Sequence, residues 1–531
     1  MIYKAFPLGV AMFCLVASGL THEAKAQAQE TPKRGGTAIF SIGQDPQGVN
    51  PDTSVNPPDR LIGCTTYEGL VNISPDYKIL PLLVKSWAVT ADGLTYTFEL
   101  KDVDWHDGKK LTAEDVKYTL LEVATKYSPV FAPSGRAIES IDASVPTRVV
   151  VKLKQPFGPF MISLTCTQGA AILPSHLLKG TDPLKNKVSL DSPVGTGSFK
   201  LAEWKRGDFV RMTRNEKYHQ PGKPYLDAVI AKVIPTVAGR LNALQAGEID
   251  LHQYFPGHEI EAVQKDPKLK IERSDASPGI NLLAMNVNRK PFDDVRVRRG
   301  LFMAVDRDYI FKNAFFSVGG VGLKPYTSDI PWAANPDIDF SKMYPYDIAK
   351  ANAMLDETDF KRGADGKRGT VHIAVFATQY PEFQQAALAI KSMWQAIGVD
   401  VVMDALEDTN LIKTVYVDRN FDIMIHSGLS FSDPALGLAR AFVTSSIGKP
   451  FGNPTGYSNP EVDKLFEDGE RGTDFDERGK FYKQAQVILA RDLPAPMLRQ
   501  FFNIDGASKR LKGLWGKAQG NGTWSDAWLD Q

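Results

Sequence analysis

Between Thr370 and Ser427 the chain switches repeatedly between two hydrophobic periods, and no other stretch restricts the fold so tightly. The runs "TVHIAVFA" (370–377), "VDVVMDAL" (399–406) and "FDIMIHS" (421–427) have the length and apolar character of buried strands. Between them, "PEFQQAALAIKSMWQAI" (381–397) has helical spacing, with Pro381 near its start and Gly398 past its end. A second helix is expected over "DTNLIKTVYV" (408–417). The order is βαβαβ, which makes a parallel sheet with right-handed crossovers. In open parallel sheets ligands sit beyond the carboxyl ends of the strands. Two loops fall there: "TQYPE" (378–382) and "GLSFSDP" (428–434).

The second of these loops is poor in charge and rich in backbone. The hydroxyls of Ser427, Ser430 and Ser432 and the amides around Gly428 can satisfy polar ligand atoms, and Phe431 can stack. Asp433 is its one charge. The Asp433-Pro434 step also fits the start of a helix with Asp433 as N-cap, so Asp433 has two readings. His426, behind an apolar strand, reads as a satisfied core histidine rather than a metal ligand.

Upstream, "TAIFSIG" and "LTYTFELK" carry residues at period two, and Thr112 opens a helix with a capping-box shape and a face of Val116, Leu120 and Val123. The strand "LDAVIAKVI", a helix capped by Thr236 and ended by Gly247, and the strand "EIDL" form a strand–helix–strand unit. "NLLAMNV" is a buried strand, followed by a helix starting near Asp293 or Asp294. The stretch 319–347 has four prolines and Tyr326, Trp332 and Tyr344. It reads as a functional loop or a stiff surface arm.

At 531 residues the chain needs two or three lobes. Its formal net charge of +0 gives no basic surplus for nucleic acid, and 43% hydrophobic with 23% charged residues suits a soluble globular protein. Lys4, the apolar run Phe6 to Leu20 and the small-x-small site Ala24-Lys25-Ala26 form a signal peptide, with cleavage expected after Ala26. Cys64 and Cys166 then remain, either bridged in an oxidising compartment or held as two buried thiols. "SPVGTGSFKL" lacks the trailing Lys-Ser/Thr of a phosphate loop, no G-x-S-x-G elbow occurs, and neither histidines nor cysteines have metal-ligand spacing. No metal, no cofactor and no catalytic constellation is expected.

Several segments in order resemble a known family. They are "RGGTAIFSIGQDPQGVNP", "YEGLV", "SWAVTADGLTYTFELKDVDWHDGKKLTAEDVKYTL", "SPVGTGSFKLAEWKRGDFVRMTRNEKY", "MNVNRKPFDDVRVRRGLFMAVDRDYI", "GYSNPEVDKLFEDG" and "ERGKFYKQAQVILARDLP". The chain resembles the extracytoplasmic solute-binding proteins of ABC importers, in the peptide/nickel/opine class (family 5). That resemblance implies an α/β, bilobal periplasmic-binding-protein fold with a hinge and three domains. Domain I would take 27–65, 191–288 and a C-terminal return over 496–531. Domain II would be the insert 66–190, and domain III, 289–495, would carry the βαβαβ block. A solute would be enclosed as domains I and III close.

Position in that scheme implies the cleft candidates. Gln44 and Asp45 end the opening strand, Tyr67 follows Cys64 where the chain leaves domain I, and Trp204 follows "GTGSF". Gln379, Tyr380, Ser427, Gly428, Ser430, Phe431 and Asp433 belong to domain III. In peptide-binding members an acid a few residues before the Asp-Pro step pairs with the peptide's α-ammonium. The matching position here is Ser430, which cannot neutralise a buried charge. A neutral, anionic, sugar-like or opine-type solute fits that departure better than a peptide with a free N-terminus. The expected partners are such a solute and the permease subunits of an inner-membrane importer, for a periplasmic monomer. The alternatives are a secreted hydrolase and an importer-independent sensory or chaperone-like binding protein.

Overall fold

A strand inside a sheet covered on both faces reads as a nearly continuous apolar run. Gly279–Met285, "GINLLAM", has all seven residues buried. It lies third in a six-stranded sheet of order Gly320–Val321, Met497–Phe501, Gly279–Met285, Ile423–Leu429, Gly369–Phe376, Val399–Leu406. Gly369–Phe376 runs parallel to both Val399–Leu406 and Ile423–Leu429, so the expected βαβαβ block is present. The helix Pro381–Gln395 buries Phe383, Ala386, Ala387, Ile390 and Trp394 on one stripe, and the Trp394 indole donates to the Leu301 carbonyl at 3.0 Å. The second expected helix is an α segment, Asp408–Ile412, continued by a π turn, Lys413–Val417.

The structure, a computed structural model, describes residues 31–54, 56–74, 78–253, 255–273, 279–326, 330–377, 380–430, 433–514 and 524–530. The expected signal peptide and its cleavage point, and the candidates Gln379 and Phe431, lie outside these residues.

A seven-stranded sheet builds the other lobe, in the order Leu269–Arg273, Ile504–Ser508, Leu251–His252, Thr37–Ile42, Ala228–Val233, Phe209–Arg214, Phe199–Lys205. The opening strand Thr37–Ile42 is parallel to both of its neighbours, so the strand–helix–strand unit around Val237–Gln245 crosses over it. A four-stranded antiparallel sheet, Val84–Val89, Thr95–Leu100, Arg148–Leu153, Ile138–Val145, encloses a separate core with Phe98, Trp105 and Phe160. The disulfide Cys64–Cys166 ties the helix Pro57–Thr66 to a turn beyond this sheet, which closes the alternative of two free thiols.

The six- and seven-stranded sheets exchange chain directly. Met497–Phe501 ends in the first and Ile504–Ser508 begins in the second, with only Phe502 and Asn503 between. Leu269–Arg273 in the second and Gly279–Met285 in the first mark the other crossing. Gly279–Met285 and Met497–Phe501 thus flank the expected span 289–495 and pair inside its sheet.

Candidate functional site

Three neighbouring strands of the six-stranded sheet each bring a polar residue to the same level of the ladder. The ladder registers pair Asn281 with Ser427 on one side and with Arg499 on the other. Facing residues of neighbouring strands share a side of the sheet, so Ser427, Asn281 and Arg499 form a polar row. This row floors a cavity of ≈ 860 Å³ at the carboxyl end of the parallel strands. The opposite wall comes from the other lobe through Phe255, Pro256, Gly257 and His258, and the chain crossing at Phe502–Ile504 closes one side. Tyr380, Glu382 and Phe383, at the start of the helix Pro381–Gln395, line it too. Volume and aromatic lining are those of a small-molecule site.

Arg499 is 8% exposed. Its Nε donates to Asn281 Oδ1 at 2.9 Å, and its guanidinium carbon lies 4.2 Å from the Phe315 ring centroid and 4.8 Å from that of Phe501. Burial pushes its pKa down to about 10, with the Glu382 carboxylate acting the other way, so it is charged at neutral pH. Gly279 makes room for this arrangement, because a Cβ there would stand 2.3 Å from Phe501 Cζ. After Phe315, Phe316 and Ser317 sit at φ 53° and 59°, in the left-handed region that costs a residue with a side chain about 1 kcal/mol or more. That turn holds Phe315 and Phe316 at the cavity wall.

The expected residues divide clearly. Tyr380 and Ser427 line the cavity, and Tyr380 stacks on Phe383 with centroids 4.9 Å apart. Gly428, assigned to the loop, is a strand residue opposite Ile280, because pairing with Gly279–Met285 carries the ladder on to Leu429. Ser430 is buried at 0% exposure. Asp433 is also wholly buried. Its two oxygens accept from Arg478 Nη1 at 2.7 Å and Nη2 at 2.8 Å, and Oδ1 accepts from the Ala435 amide at 2.9 Å. Among the described residues no helix starts here, because residues 434–438 form turns and the next helical element is the 3-10 turn Ala439–Ala441. Asp433 is thus an Asx-turn and ion-pair residue rather than a helix N-cap, and it is not among the residues lining the cavity.

The domain I candidates lie elsewhere. Tyr67 is buried in a core cluster with its hydroxyl donating to the Val188 carbonyl at 2.8 Å, so it packs rather than lines the cavity. Trp204 donates to Asp45 Oδ1 at 3.2 Å, and the Arg206 guanidinium lies 3.5 Å from its ring centroid and pairs with Asp45. Trp204 and Arg206 line a second, polar and more open hollow of ≈ 560 Å³ with Lys187, Asp191 and Glu203. Gln44 is exposed beside this group. His426 is a core histidine: its Nδ1 is 2.7 Å from the Tyr416 hydroxyl, and burial pushes its pKa down to about 3.

Sequence reasoning missed Asn281, Phe315 and Arg499, and placed the loop ending in Glu382 at the ligand end of the strands without singling that residue out. The signal was Asn281, the lone polar residue of the apolar strand "GINLLAM", and the arginine of the short strand "MLRQF". Among the described residues no group of three or more His, Cys, Asp or Glu side chains is placed to hold a metal ion.

Comparison with known proteins gives a consistent result. The family model for bacterial extracellular solute-binding proteins, family 5 middle, matches residues 78–449. The glutathione-binding protein GsiB of Pectobacterium atrosepticum is 28% identical over 513 residues, covering 94% of this chain and 95% of the relative. The oligopeptide-binding protein AppA of Bacillus subtilis, solved with a nonapeptide, is 26% identical with a TM-score of 0.74 and covers 94% of this chain and 100% of that one. The ABC transporter substrate-binding protein CtaP of Listeria monocytogenes superposes with a TM-score of 0.80 at 24% identity, covering 94% of this chain and 100% of that one, a likeness of fold.

Proposed function

The chain belongs to the family 5 bacterial extracellular solute-binding proteins, and on that premise we propose that it captures a small solute in the cavity between its two sheets and hands it, unaltered, to the permease of an ABC importer. The observation that carries this reading is the ≈ 860 Å³ cavity walled by residues of both lobes, where the chain crosses between them at Phe502 and Asn503. Two lobes on short crossings move as hinged bodies, and closure removes the guest from water. The protein works in the periplasm after loss of its signal peptide, as a monomer that binds without catalysis. Among the described residues no helix is long and apolar enough to cross a membrane. The three-part division expected from the sequence is retained in this proposal, with Gly279–Met285 and Met497–Phe501 assigned to the lobe of the βαβαβ block.

Ser430 provides no carboxylate at the position where peptide-binding members anchor an ammonium. Glu382 is the one carboxylate among the described cavity-lining residues. The test is native mass spectrometry of protein purified from the periplasm, followed by release and rebinding of whatever small molecule travels with it. A bound molecule returned at unchanged mass, together with contraction on rebinding in small-angle scattering, supports the reading. Turnover of that molecule, or no ligand-dependent contraction, overturns it.

A further inference from the structure

Arg499 is used differently from the other buried arginines, of which Arg307 donates to the carbonyls of Phe340 and Tyr344 and does not line the cavity. Arg298 donates to the carbonyls of Phe292, Asp293 and Asp492. Arg368 donates to those of Phe360 and Ile397 and pairs with Asp356. Arg478 pairs with Asp433. Among the described residues Arg499 makes one hydrogen bond, through Nε to Asn281, and no carboxylate lies within ion-pair distance of it. A guanidinium has five N–H donors in a rigid planar fork that matches a carboxylate bidentately. A buried charge left without a counterion is costly. Here the fork is fixed by Asn281 and by the rings of Phe315 and Phe501, and it borders the cavity.

Resting on the solute-binding reading above, we propose that the cleft selects a solute bearing a single carboxylate, taken by the free edge of the Arg499 guanidinium, with an apolar or aromatic body against Phe255, Phe316 and Phe502. The walls supply those rings and few polar groups. Glu382, on the same wall, repels a second negative charge, so a monocarboxylate is preferred to a dianion. The carboxylate can come from the C-terminus of a peptide or from an N-acylated acid; Arg499 reads the shared group.

The experiment compares acids with their amides by thermal shift and calorimetry on the mature protein, freed of co-purified ligand. The probes are hippurate, N-acetylphenylalanine and glycylphenylalanine, each against its primary amide. At least one acid is expected to stabilise the wild type while its amide does not, and the pattern across the three separates a blocked acid from a peptide source. R499Q is expected to weaken the binding acid by about 30-fold or more, the loss typical of removing one partner of a buried charge pair. R499K keeps the charge without the fork and should fall between. If R499Q does not fold, as judged by circular dichroism, R499K and the acid–amide contrast in the wild type carry the test. Acids and amides bound equally well, neutral solutes bound while all three acids are ignored, or R499Q at wild-type affinity each overturn the inference and leave the solute-binding reading standing. Absence of binding by any solute, co-purified or added, overturns that reading itself and this inference with it.

Discussion

Replacing Asp433 by asparagine isolates the strongest polar contact in the six-stranded lobe. The carboxylate and the Arg478 guanidinium share two parallel hydrogen bonds of 2.7 and 2.8 Å, with side chains 0% and 1% exposed. Arg478 also donates to the Gly469 carbonyl at 2.7 Å and the Tyr482 hydroxyl at 3.2 Å. The side-chain amide of D433N keeps an acceptor but no charge, so the guanidinium stays buried and unneutralised, at a cost of about 3–5 kcal/mol. Arg478→Met strands the carboxylate instead, with a loss of the same order. Removing both charges together leaves neither stranded, and paired buried charges replaced by neutral groups are often close to neutral in stability. D433N/R478M should therefore recover at least about 3 kcal/mol relative to the sum of the single changes.

Urea unfolding read by tryptophan fluorescence is the assay, because Trp332 lies 5.1 Å from the Arg478 guanidinium and reports on this region. A D433N variant within about 1 kcal/mol of wild type, or single effects that add to within about 0.5 kcal/mol, refutes the argument. Unchanged stability with lost solute affinity would return Asp433 to the ligand.

Three further outcomes are expected. Burial holds His106 at about 4 and His252 and His426 at about 3, against an ordinary 6.5. The unfolded chain takes up these protons first, so the stability they provide is full above pH 6.5 and drains as pH falls towards those values, by roughly 2 kcal/mol each at pH 5. His426→Gln, which keeps an acceptor for Tyr416, should change the stability difference between pH 7 and pH 5 in urea unfolding by roughly 2 kcal/mol relative to wild type; an unchanged difference contradicts it. The Cys64–Cys166 bridge has a sequence separation of 102, so C64S/C166S should lose up to about 4.7 kcal/mol by loop entropy, and dithiothreitol added to the wild type in urea should reproduce the same midpoint. Gly158 donates its amide to the Glu470 carbonyl at 2.7 Å, and a Cβ on it would meet Arg478 Nε at 2.4 Å and the Gly472 carbonyl at 2.5 Å. G158A should therefore displace the Arg478 guanidinium that pairs with Asp433 and cost about 1–3 kcal/mol of stability in urea unfolding; an unchanged midpoint would show that the contact yields without loss.

The parts of this fold that were legible in the sequence are those set by local periodicity. The spacing of Phe383, Ala386, Ala387, Ile390 and Trp394 states a helix whatever surrounds it, and the apolar runs on either side state strands. The end of Ile423–Leu429 was not legible, because Gly428 and Leu429 have turn-like neighbours and are held in the ladder only by Ile280 and Gly279, far earlier in the chain. Asp433 misled for the same reason. A lone acid before a proline looks like a cap or a ligand contact, and nothing local announces Arg478, 45 residues on. Arg499 was passed over altogether. One arginine in "MLRQF" looks like an edge residue facing water, and only the register that sets it beside Asn281 turns it inward.

That register also ties recognition to motion. If the lobes close as proposed, a charged guanidinium on the floor of the cleft loses the water left to it as they meet. Closure without a guest therefore costs desolvation of Arg499 with a single hydrogen bond in return, whereas an anionic guest supplies the missing acceptors at the moment water leaves. A ligand shifts a two-state equilibrium only by its difference in affinity for the two states. On the proposed reading the Arg499 contact would be made in full only with the cavity shut, and would then contribute to that difference directly. In that proposal the same group would both choose the guest and report its presence through lobe position. R499M makes the point testable: a neutral, apolar floor lowers the cost of closing empty, so the variant should be more compact without ligand than the wild type in small-angle scattering. If wild type and R499M have the same ligand-free dimensions, the charge does not hold the empty cleft open.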